Sequence, residues 1–295
     1  MSDRLLELEA FVRVAETENF SQAARNLGLT QSAVSRIVAS LERRVGASLL
    51  SRTTRRVTLT QAGTLYVEHA RAAIFSLEEG RSQLQRSNGL HGQLHVALPA
   101  TFGARVVIPL LGKFLDAHPH LQLQLSMSDQ LQDLVRDGVD VVLRVGQQMD
   151  SKFTAKKLAC TPRVLAASPS FLEIHGSPSS PADLVQYACI TGPADVPPSV
   201  WTFKDMNGEI TSVKVRGRVH ATSAEGLTAC AVSGFGIAML SKWAALAELK
   251  DGRLLACCTE YQLQPTDVYA VFPAARYAPE KARIFAEFIG RQLNI

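Results

Sequence analysis

The stretch that most constrains the fold runs from Phe20 to Leu41, where two short amphipathic helices flank a tight turn. Apolar residues at helical spacing mark the first helix, which we expect the Ser21 hydroxyl to cap and Gly28 to end. Thr30 is predicted to cap the second helix. Helix, short glycine-containing turn and helix form the helix-turn-helix arrangement, whose second helix lies in the DNA major groove.

The predicted second helix has two different faces. Its apolar stripe consists of Val34, Ile37, Val38 and Leu41. Small and polar side chains share the other face: Gln31, Ser32, Ser35, Arg36, Ala39 and Arg43. Any helical hairpin has one apolar and one polar face, so the periodicity alone leaves open an ordinary pair of surface helices.

Charge is concentrated where DNA contacts need it. Positions 25 to 56 hold seven arginines against the single acid Glu42. Positions 1 to 88 hold twelve arginines, no lysine and nine acids, whereas the remainder has nineteen basic and eighteen acidic residues. Attraction to phosphate dominates non-specific DNA affinity, so this local excess favours a nucleic-acid partner more than the net charge of +4 does.

Residues spread over the N-terminal part also repeat a known pattern of types and spacings. They are Phe11, Val14, Ala15, Phe20, Ser21, Ala23, Ala24, Leu27, Gln31, Ser32, Ala33, Val34, Ser35, Ile37, Leu41, Glu42, Gly46, Leu49, Arg52, Leu59, Thr60 and Gly63. This pattern resembles the N-terminal signature of LysR-type transcriptional regulators. The resemblance implies a sequence-specific DNA-binding regulator, with double-stranded DNA as its partner and RNA polymerase as a further candidate partner.

A set of DNA-contacting residues follows from the polar face and the resemblance. We predict base-edge contacts for Gln31, Ser32, Ser35 and Arg36, with Ser21, Thr30, Ala33 and Arg43 completing the helix-turn-helix contacts. Two short strands, at 49–50 and 57–59, are predicted to frame a wing. Its residues Arg52, Thr53, Arg55 and Arg56 are predicted to contact phosphates or the minor groove, with a solvated basic loop as the alternative.

Residues 61–88 favour one long helix after the DNA-binding domain of residues 1–60. Tyr66, Ala70, Ala73, Leu77, Gly80 and Leu84 alternate at spacings of four and three, which is typical of a helix-helix seam. In the resembled family this is a linker helix that pairs two chains, which implies a homodimer or homotetramer with reading helices roughly 34 Å apart. A core helix of the same chain is the alternative.

The chain from residue 89 to 295 alternates between strand and helix patterns, which is typical of a parallel α/β sheet. The predicted strands are 94–98, 121–127, 139–145, 163–167, 188–190, 213–219, 237–240 and 268–272; the predicted helices are 101–118, kinked or restarted at Pro109, and 129–137, 223–234 and 279–293. The fold class is therefore α plus α/β. A winged helix-turn-helix and a linker helix precede a two-lobed domain that resembles periplasmic binding proteins.

Markers of a LysR-type effector domain also occur in this half: Gly92, Pro99, Pro109, Phe114, Pro119, Asp140, Arg144, Gly146 and the run from Gly234 to Ile237. We expect lobe I to comprise about 89–160 and 266–295, and lobe II about 161–265. The resemblance implies that a small-molecule effector binds between the two lobes and modulates DNA binding.

Ligands of open parallel sheets bind at the carboxyl ends of strands, where helix N-termini offer free N–H groups. This rule predicts an effector site formed by Ala100, Thr101, Phe102, Ser128, Arg144, Thr222 and Ser223. Such a set suits an anionic or hydroxylated small molecule. Each residue has an ordinary cap or turn as its alternative, Arg144 has a structural ion pair, and Asp129 argues against a crowded anion site.

Other function classes find little support in the sequence. No GxSxG, GxxxxGK[ST] or HExxH motif occurs, so we expect no enzyme, cofactor or metal site. The five cysteines, Cys160, Cys189, Cys230, Cys257 and Cys258, fit reduced thiols, although Cys230 and the adjacent pair leave redox sensing as an alternative. The N-terminal residues form no continuous apolar run, so we expect a cytoplasmic protein without membrane contact.

Overall fold

The computed structural model describes residues 4–52, 57–85, 89–129, 138–146, 154–192, 199–272 and 278–293. Its N-terminal elements confirm the predicted winged helix-turn-helix followed by a long helix. They are α1 (Arg4–Thr17), α2 (Phe20–Leu27), α3 (Gln31–Val45), the antiparallel strands β1 (Leu50–Arg52) and β2 (Val57–Leu59), and α4 (Gln61–Gln85).

The rest of the chain forms the predicted α/β part. Its strands are β3 (His91–Leu98), β4 (His120–Met127), β5 (Val141–Val145), β6 (Thr154–Thr161), β7 (Arg163–Ala167), β8 (Ala188–Thr191), β9 (Val200–Lys204), β10 (Ile210–Lys214), β11 (Arg216–His220), β12 (Ile237–Ser241), β13 (Leu255–Cys257), β14 (Gln262–Leu263) and β15 (Thr266–Phe272). Its helices are α5 (Ala100–Phe102), α6 (Ile108–Ala117), α7 (Pro169–His175), α8 (Ala224–Val232), α9 (Lys242–Lys250) and α10 (Glu280–Leu293).

The first lobe is built on a sheet of order β4-β3-β5-β15-β6. Strand β3 pairs in parallel with β4 and β5, whereas β15 pairs antiparallel with both β5 and β6. The sheet is therefore mixed, and strand β6 was not predicted. Phe102, Phe114 and Phe285 are fully buried against the sheet and form the centre of this core.

The second lobe is built on a sheet of order β11-β8-β12-β7-β13. The chain enters it between β6 and β7 and leaves it between β14 and β15, so two neighbouring crossings join the lobes. The domain boundaries, including the crossings predicted near 161 and 266, stay predictions.

The single strand predicted at 213–219 was wrong, because two strands occupy this stretch. Strand β10 pairs with β9 in a small three-stranded sheet, whereas β11 pairs in parallel with β8. At Gly217 a Cβ atom would lie 1.5 Å from the carbonyl oxygen of Cys189. Only glycine permits this approach, so backbone contact with β8 separates β11 from the preceding strand.

The helix predicted at 101–118 is interrupted by a π-helical segment, Gly103–Val107, between α5 and α6. Pro109 lies in the first turn of α6, directly after this segment, and it has no N–H to donate to the preceding turn. The helix predicted at 129–137 falls, from residue 130 onward, outside the described residues.

The predicted cap of α2 needs a correction. The side chain of Asn19, not of Ser21, accepts hydrogen bonds from the backbone N–H groups of Ser21 and Gln22, at 2.9 and 3.0 Å. Asn19 lies one position before the helix in extended conformation, whereas Ser21 is already helical, so only Asn19 has capping geometry. Gly28 ends α2 in the left-handed conformation, and Thr30 Oγ1 accepts from the Ala33 N–H at 3.2 Å, as predicted.

A buried carboxylate joins α1 to α3. Glu7 is only 2% exposed, and its Oε1 accepts a hydrogen bond of 2.7 Å from the Ser40 hydroxyl. Its Oε2 accepts from Arg44 Nε and Nη2 at 3.0 and 2.7 Å. Because both oxygens are occupied by groups of one helix, Glu7 sets how α3 lies on the domain.

The long helix α4 divides its apolar residues between two sides. Val67 and Ala70 are buried in the core of the DNA-binding domain, with Tyr66 packed against that core. The predicted seam residues Tyr66 and Ala70 therefore contact their own chain. Among the described side chains of α4, the large apolar residues Leu65 and Leu77 remain 68% and 57% exposed and are available to another surface.

An ion pair crosses between the two lobes. Arg105, in the π-helical segment of lobe I, donates from Nη1 to Glu248 Oε2 at 2.8 Å and from Nη2 to Oε1 at 3.1 Å. Glu248 lies on α9 of lobe II, and its side chain is 6% exposed. Arg105 also donates to the Ala244 carbonyl and reaches Glu225 on α8 at 3.3 Å. This pair closes one side of the space between the lobes.

We predict that Glu7→Ala destabilises the DNA-binding domain by about 2 kcal/mol, because Ser40 and Arg44 lose their shared partner. Hydrogen exchange of the α1 and α3 amides in the full chain measures the loss. Glu68→Ala is the control: Glu68 is 60% exposed, so its removal should change stability by less than about 0.5 kcal/mol. Equal protection in both variants would contradict the assigned role of Glu7.

We predict that Arg105→Met lowers the free energy of unfolding of the effector domain by about 3 kcal/mol, because it leaves the Glu248 carboxylate buried with Arg253 as a weaker partner. The chain's two tryptophans, Trp201 and Trp243, lie in lobe II and report unfolding in urea by fluorescence. Arg216→Met, at an exposed position, is the matched control.

This loss should depend on pH. The hydrogen bond from Arg105 lowers the pKa of Glu248 in the folded chain below its ordinary value of 4.5. The pair therefore contributes fully above that value, and its contribution disappears as pH falls through the lower folded pKa. The difference between wild type and Arg105→Met should shrink in that acidic range; a constant difference would contradict the ion pair.

Candidate functional site

The outer face of α3 is polar and open to solvent. Gln31, Ser32 and Arg36 are exposed, whereas Val34, Val38 and Leu41 on the opposite side are buried in the domain core. Arg43 lies exposed two turns after Arg36. The side chains near the start of α3 are those that a recognition helix presents to base edges.

Hydrogen bonds hold several of these side chains. The Ser21 hydroxyl donates to Gln31 Oε1 at 3.0 Å, which joins α2 to the first residue of α3. Thr30 Oγ1 lies 3.2 Å from Ser32 Oγ, and Arg36 Nε donates to the Ser32 carbonyl at 3.4 Å. The predicted set Ser21, Thr30, Gln31, Ser32 and Arg36 thus forms one continuous surface.

Ala33 and Ser35 are half-buried on the same helix. Of the predicted wing residues, Arg52 ends β1 opposite Val57, while Thr53, Arg55 and Arg56 lie outside the described residues. DNA contact by all twelve residues stays a prediction.

A cavity of about 210 Å³ lies between the two lobes. Both sheets and the helices that follow their strands contribute to its wall. The lining residues are Pro99, Thr101, Phe102, Asp129, Arg144, Val145, Gly146, Arg163, Gly192, Thr222, Ser223, Ala224, Leu227, Met239, Leu240, Ser241, Trp243, Ala244 and Thr266. The cavity is much larger than the site of a single water molecule and therefore suits a small molecule.

The structure brings five of the seven predicted effector residues to this wall: Thr101, Phe102, Arg144, Thr222 and Ser223. Ala100 and Ser128 do not line the cavity, although their neighbours Pro99 and Asp129 do. Asp129 Oδ1 accepts the backbone N–H of Ala100 at 3.2 Å, so this carboxylate caps the start of α5. Whether any of the seven contacts a ligand stays a prediction.

Three buried polar atoms of the wall lack a hydrogen-bond partner among the described residues. They are Thr101 Oγ1, Arg144 Nε and Trp243 Nε1. Thr101 is 4% exposed, and burial lowers the pKa of Arg144. The alternative role of Arg144 as an ion-pair partner is not seen, because no carboxylate of the described residues lies within bridging distance of it. Unpaired buried donors are rare and indicate a ligand or water site.

Sequence reasoning missed several lining residues. Ser241 and Trp243 follow the carboxyl end of β12 at the start of α9, so the rule that selected Thr101 and Thr222 would also have selected them. Arg163 and Thr266 begin antiparallel strands, where that rule does not apply. Their side chains are hydrogen-bonded to each other, Arg163 Nε donating to Thr266 Oγ1, and this bond joins the two crossings between the lobes.

The adjacent pair among the redox candidates, Cys257 and Cys258, lies in surroundings that disfavour the reactive thiolate. Burial raises the pKa of the Cys257 thiol and raises that of Cys258 to about 11. A reactive cysteine needs a lowered pKa. Among the described residues, no group of three or more histidines, cysteines and acidic residues is placed to hold a metal ion, and no helix is long and apolar enough to cross a membrane.

Comparison with known families agrees with this architecture. Residues 5–64 match the bacterial regulatory helix-turn-helix protein model of the lysR family, and residues 87–294 match the LysR substrate binding domain model. The chain is 33% identical over 287 residues to the HTH-type transcriptional regulator DmlR of Escherichia coli K12, covering 97% of this chain and 93% of that protein.

Solved structures of the same architecture are similar over the full length. CrgA, a LysR-type transcriptional regulator from Neisseria meningitidis, is 31% identical with a TM-score of 0.60, covering 98% of this chain and 99% of that one. The Vibrio cholerae virulence activator AphB is 26% identical with a TM-score of 0.57, covering 97% and 98%. A DNA-binding head, a long helix and a two-lobed domain thus occur together, and the chain belongs to the LysR family of helix-turn-helix transcriptional regulators.

Proposed function

We propose that this regulator is a dimer that binds a specific operator through α3 and the wing of each chain. A small molecule in the interlobe cavity changes how the paired DNA-binding domains lie on the operator. The observation that supports this most directly is the cavity itself. It lies between the lobes, and polar atoms without a hydrogen-bond partner among the described residues come from both sides, Thr101 and Arg144 from lobe I and Trp243 from lobe II.

The proposed mechanism is a shift between two arrangements of the lobes. A ligand that contacts both lobes binds the closed arrangement more tightly and therefore raises its population. Two contacts would have to adjust during such a movement. They are the hydrogen bond between Arg163 and Thr266 at the crossings and the ion pair between Arg105 and Glu248. Movement of lobe I then reaches α4, whose Phe75 ring lies under the Arg283 guanidinium of α10 at 5.8 Å.

On DNA, the proposed division of roles follows the geometry of α3. Gln31, Ser32, Ser35 and Arg36 read base edges, while Arg43 and the wing arginines neutralise phosphates and set affinity without sequence preference. Ser21 orients the amide of Gln31 through its hydrogen bond, which reduces the freedom that this side chain loses on DNA.

Metabolite sensing is preferred to redox sensing for this chain. The raised pKa of Cys257 and Cys258 keeps both thiols protonated and poorly reactive. Titration with a thiol reagent at neutral pH checks this preference: slow modification of both cysteines supports it, and rapid modification would restore the redox alternative.

The test of the proposal is footprinting of the purified protein on DNA upstream of its own gene and of the divergent neighbour, at stated salt. Protection of a site with a partial palindrome, changed by metabolites linked to the neighbouring genes, supports the proposal. No protection at low or moderate salt, with or without those metabolites, would contradict it.

We predict that Arg36→Ala lowers affinity for the specific site by about 1–3 kcal/mol, because a bidentate base contact is lost. Fluorescence anisotropy on specific and random duplexes measures both affinities. Arg216→Ala in lobe II is the control and should change neither. An equal loss on random DNA would reassign Arg36 to phosphate binding.

We predict that Leu77→Lys weakens dimerisation at least tenfold, because it places a charge on the exposed apolar side of α4. Analytical ultracentrifugation over a concentration series measures the monomer fraction. Ile174→Lys is the control, since Ile174 is 77% exposed on α7, away from α4. An unchanged dimer in Leu77→Lys would place the pairing surface elsewhere.

A further inference from the structure

The charged side chains of the cavity wall indicate the sign of the ligand's charge. Its charged side chains are Arg144, Arg163 and Asp129. Asp129 is occupied by the Ala100 N–H, and Arg163 by Thr266 and by Met239 Sδ at 3.6 Å. Among the described residues, the buried Nε of Arg144 has no hydrogen-bond partner, and no carboxylate forms an ion pair with Arg144. Arg144 is half-buried, and a partly desolvated cation without a nearby counter-ion favours an anion at this wall.

The unpaired polar atoms suit the same ligand. Arg144 Nε and Trp243 Nε1 are donors only, and Thr101 Oγ1 has a hydroxyl hydrogen to donate. A neutral donor group would leave the arginine and indole N–H groups unsatisfied. A carboxylate has two acceptor oxygens and satisfies donors from both lobes at once.

Two helices add to this preference. Helices α8 and α9, of nine residues each, begin at the cavity with Ser223 and Ser241 as their N-caps. The Ser223 hydroxyl is occupied by the Gly226 N–H at 3.0 Å, whereas Ser241 makes no side-chain hydrogen bond to its helix. The positive ends of both helix dipoles therefore point toward the same space as Arg144.

The other residues of the wall indicate that most of the ligand is apolar and that it carries a single negative charge. Phe102, Leu227, Met239, Leu240 and the Trp243 ring give it an apolar surface. A second negative charge would meet Asp129 on the same wall. The volume of about 210 Å³ favours a small ligand.

We propose that the ligand of this cavity is a small monocarboxylate with a compact apolar body, and that Arg144 determines this specificity. The inference rests on the proposed function only for the place of the ligand. The carboxylate is hydrogen-bonded by Arg144 Nε, with Trp243 Nε1 and Thr101 Oγ1 as the neighbouring donors, and the apolar body lies against Phe102 and Leu227.

The test uses isothermal calorimetry and thermal shift of the full chain without DNA. The probes are isobutyrate and benzoate, their neutral amides isobutyramide and benzamide, and the dianions succinate and phthalate. We expect at least one monocarboxylate to bind and stabilise the wild type, with its amide and the dianions binding at least tenfold more weakly.

Variants at Arg144 test its role. Arg144→Met should lower monocarboxylate affinity roughly 10- to 100-fold, and Arg144→Lys should retain part of it. Without ligand, Arg144→Met should melt at or above the wild-type temperature, because an unpaired buried donor is removed. Arg216→Met is the exposed control and should match wild type in both measurements. Lower melting of empty Arg144→Met would indicate a structural role and overturn the assignment.

The outcomes separate this inference from the proposed function. If the amides bind as well as the acids, or if neither monocarboxylate binds, the ligand class is overturned while operator footprinting still tests the regulator. If a monocarboxylate binds through Arg144 but leaves the footprint unchanged, the ligand class stands and the proposed coupling to DNA is overturned.

Discussion

The arrangement of the effector domain depends on one buried ion pair that joins lobe II to lobe I. Glu248 is 5% exposed on α9, and its main partner is Arg105 from lobe I. Removing Arg105 leaves the Glu248 carboxylate in a poorly hydrated place with Arg253 as a more distant partner, so the lobes are held face to face at this point. The cavity lies beside the pair, since Ala244, whose carbonyl also accepts from Arg105, is part of its wall.

The interface between the two lobes has two parts. Polar groups with partners form a structural part, and polar groups without partners among the described residues lie in the part that we propose to bind a ligand. Arg105, Glu248 and the Arg163–Thr266 bond have their partners within the protein. Arg144 Nε, Trp243 Nε1 and Thr101 Oγ1, on the same wall, have no hydrogen-bond partner in the described part of the chain. Folded proteins satisfy nearly all buried polar groups, and these donors therefore support the ligand site proposed for the cavity.

The DNA-binding domain differs from this interface, because its candidate contact residues are exposed to solvent. Buried polar contacts on the inner side of the domain hold its elements in place. Glu7 holds α3 through Ser40 and Arg44, while the carboxylate of Glu42 accepts the N–H groups of Leu49 and Leu50 at 2.8 and 3.0 Å and fixes the start of the wing. At Gly63 an added Cβ would meet the Leu49 carbonyl oxygen at 2.0 Å, so the first turn of α4 packs directly on the wing. A rigid support reduces the conformational entropy that the residues proposed to contact base edges would lose on binding DNA.

Local patterns in the sequence determined the helix-turn-helix, the limits of most strands and helices, and the family, because helix faces, caps and strand alternation depend on residues within a few positions of each other. Even there, the backbone conformation decided which of two nearby residues caps a helix, since Asn19 rather than Ser21 caps α2. Only the tertiary structure decided that the stretch 213–219 is shared by two sheets, that Tyr66 and Ala70 pack inside their own domain, and that Arg105 meets a carboxylate 143 positions away. These outcomes depend on contacts between distant segments, whose free energy is set by burial and by which polar groups remain without a partner, and no local spacing encodes that.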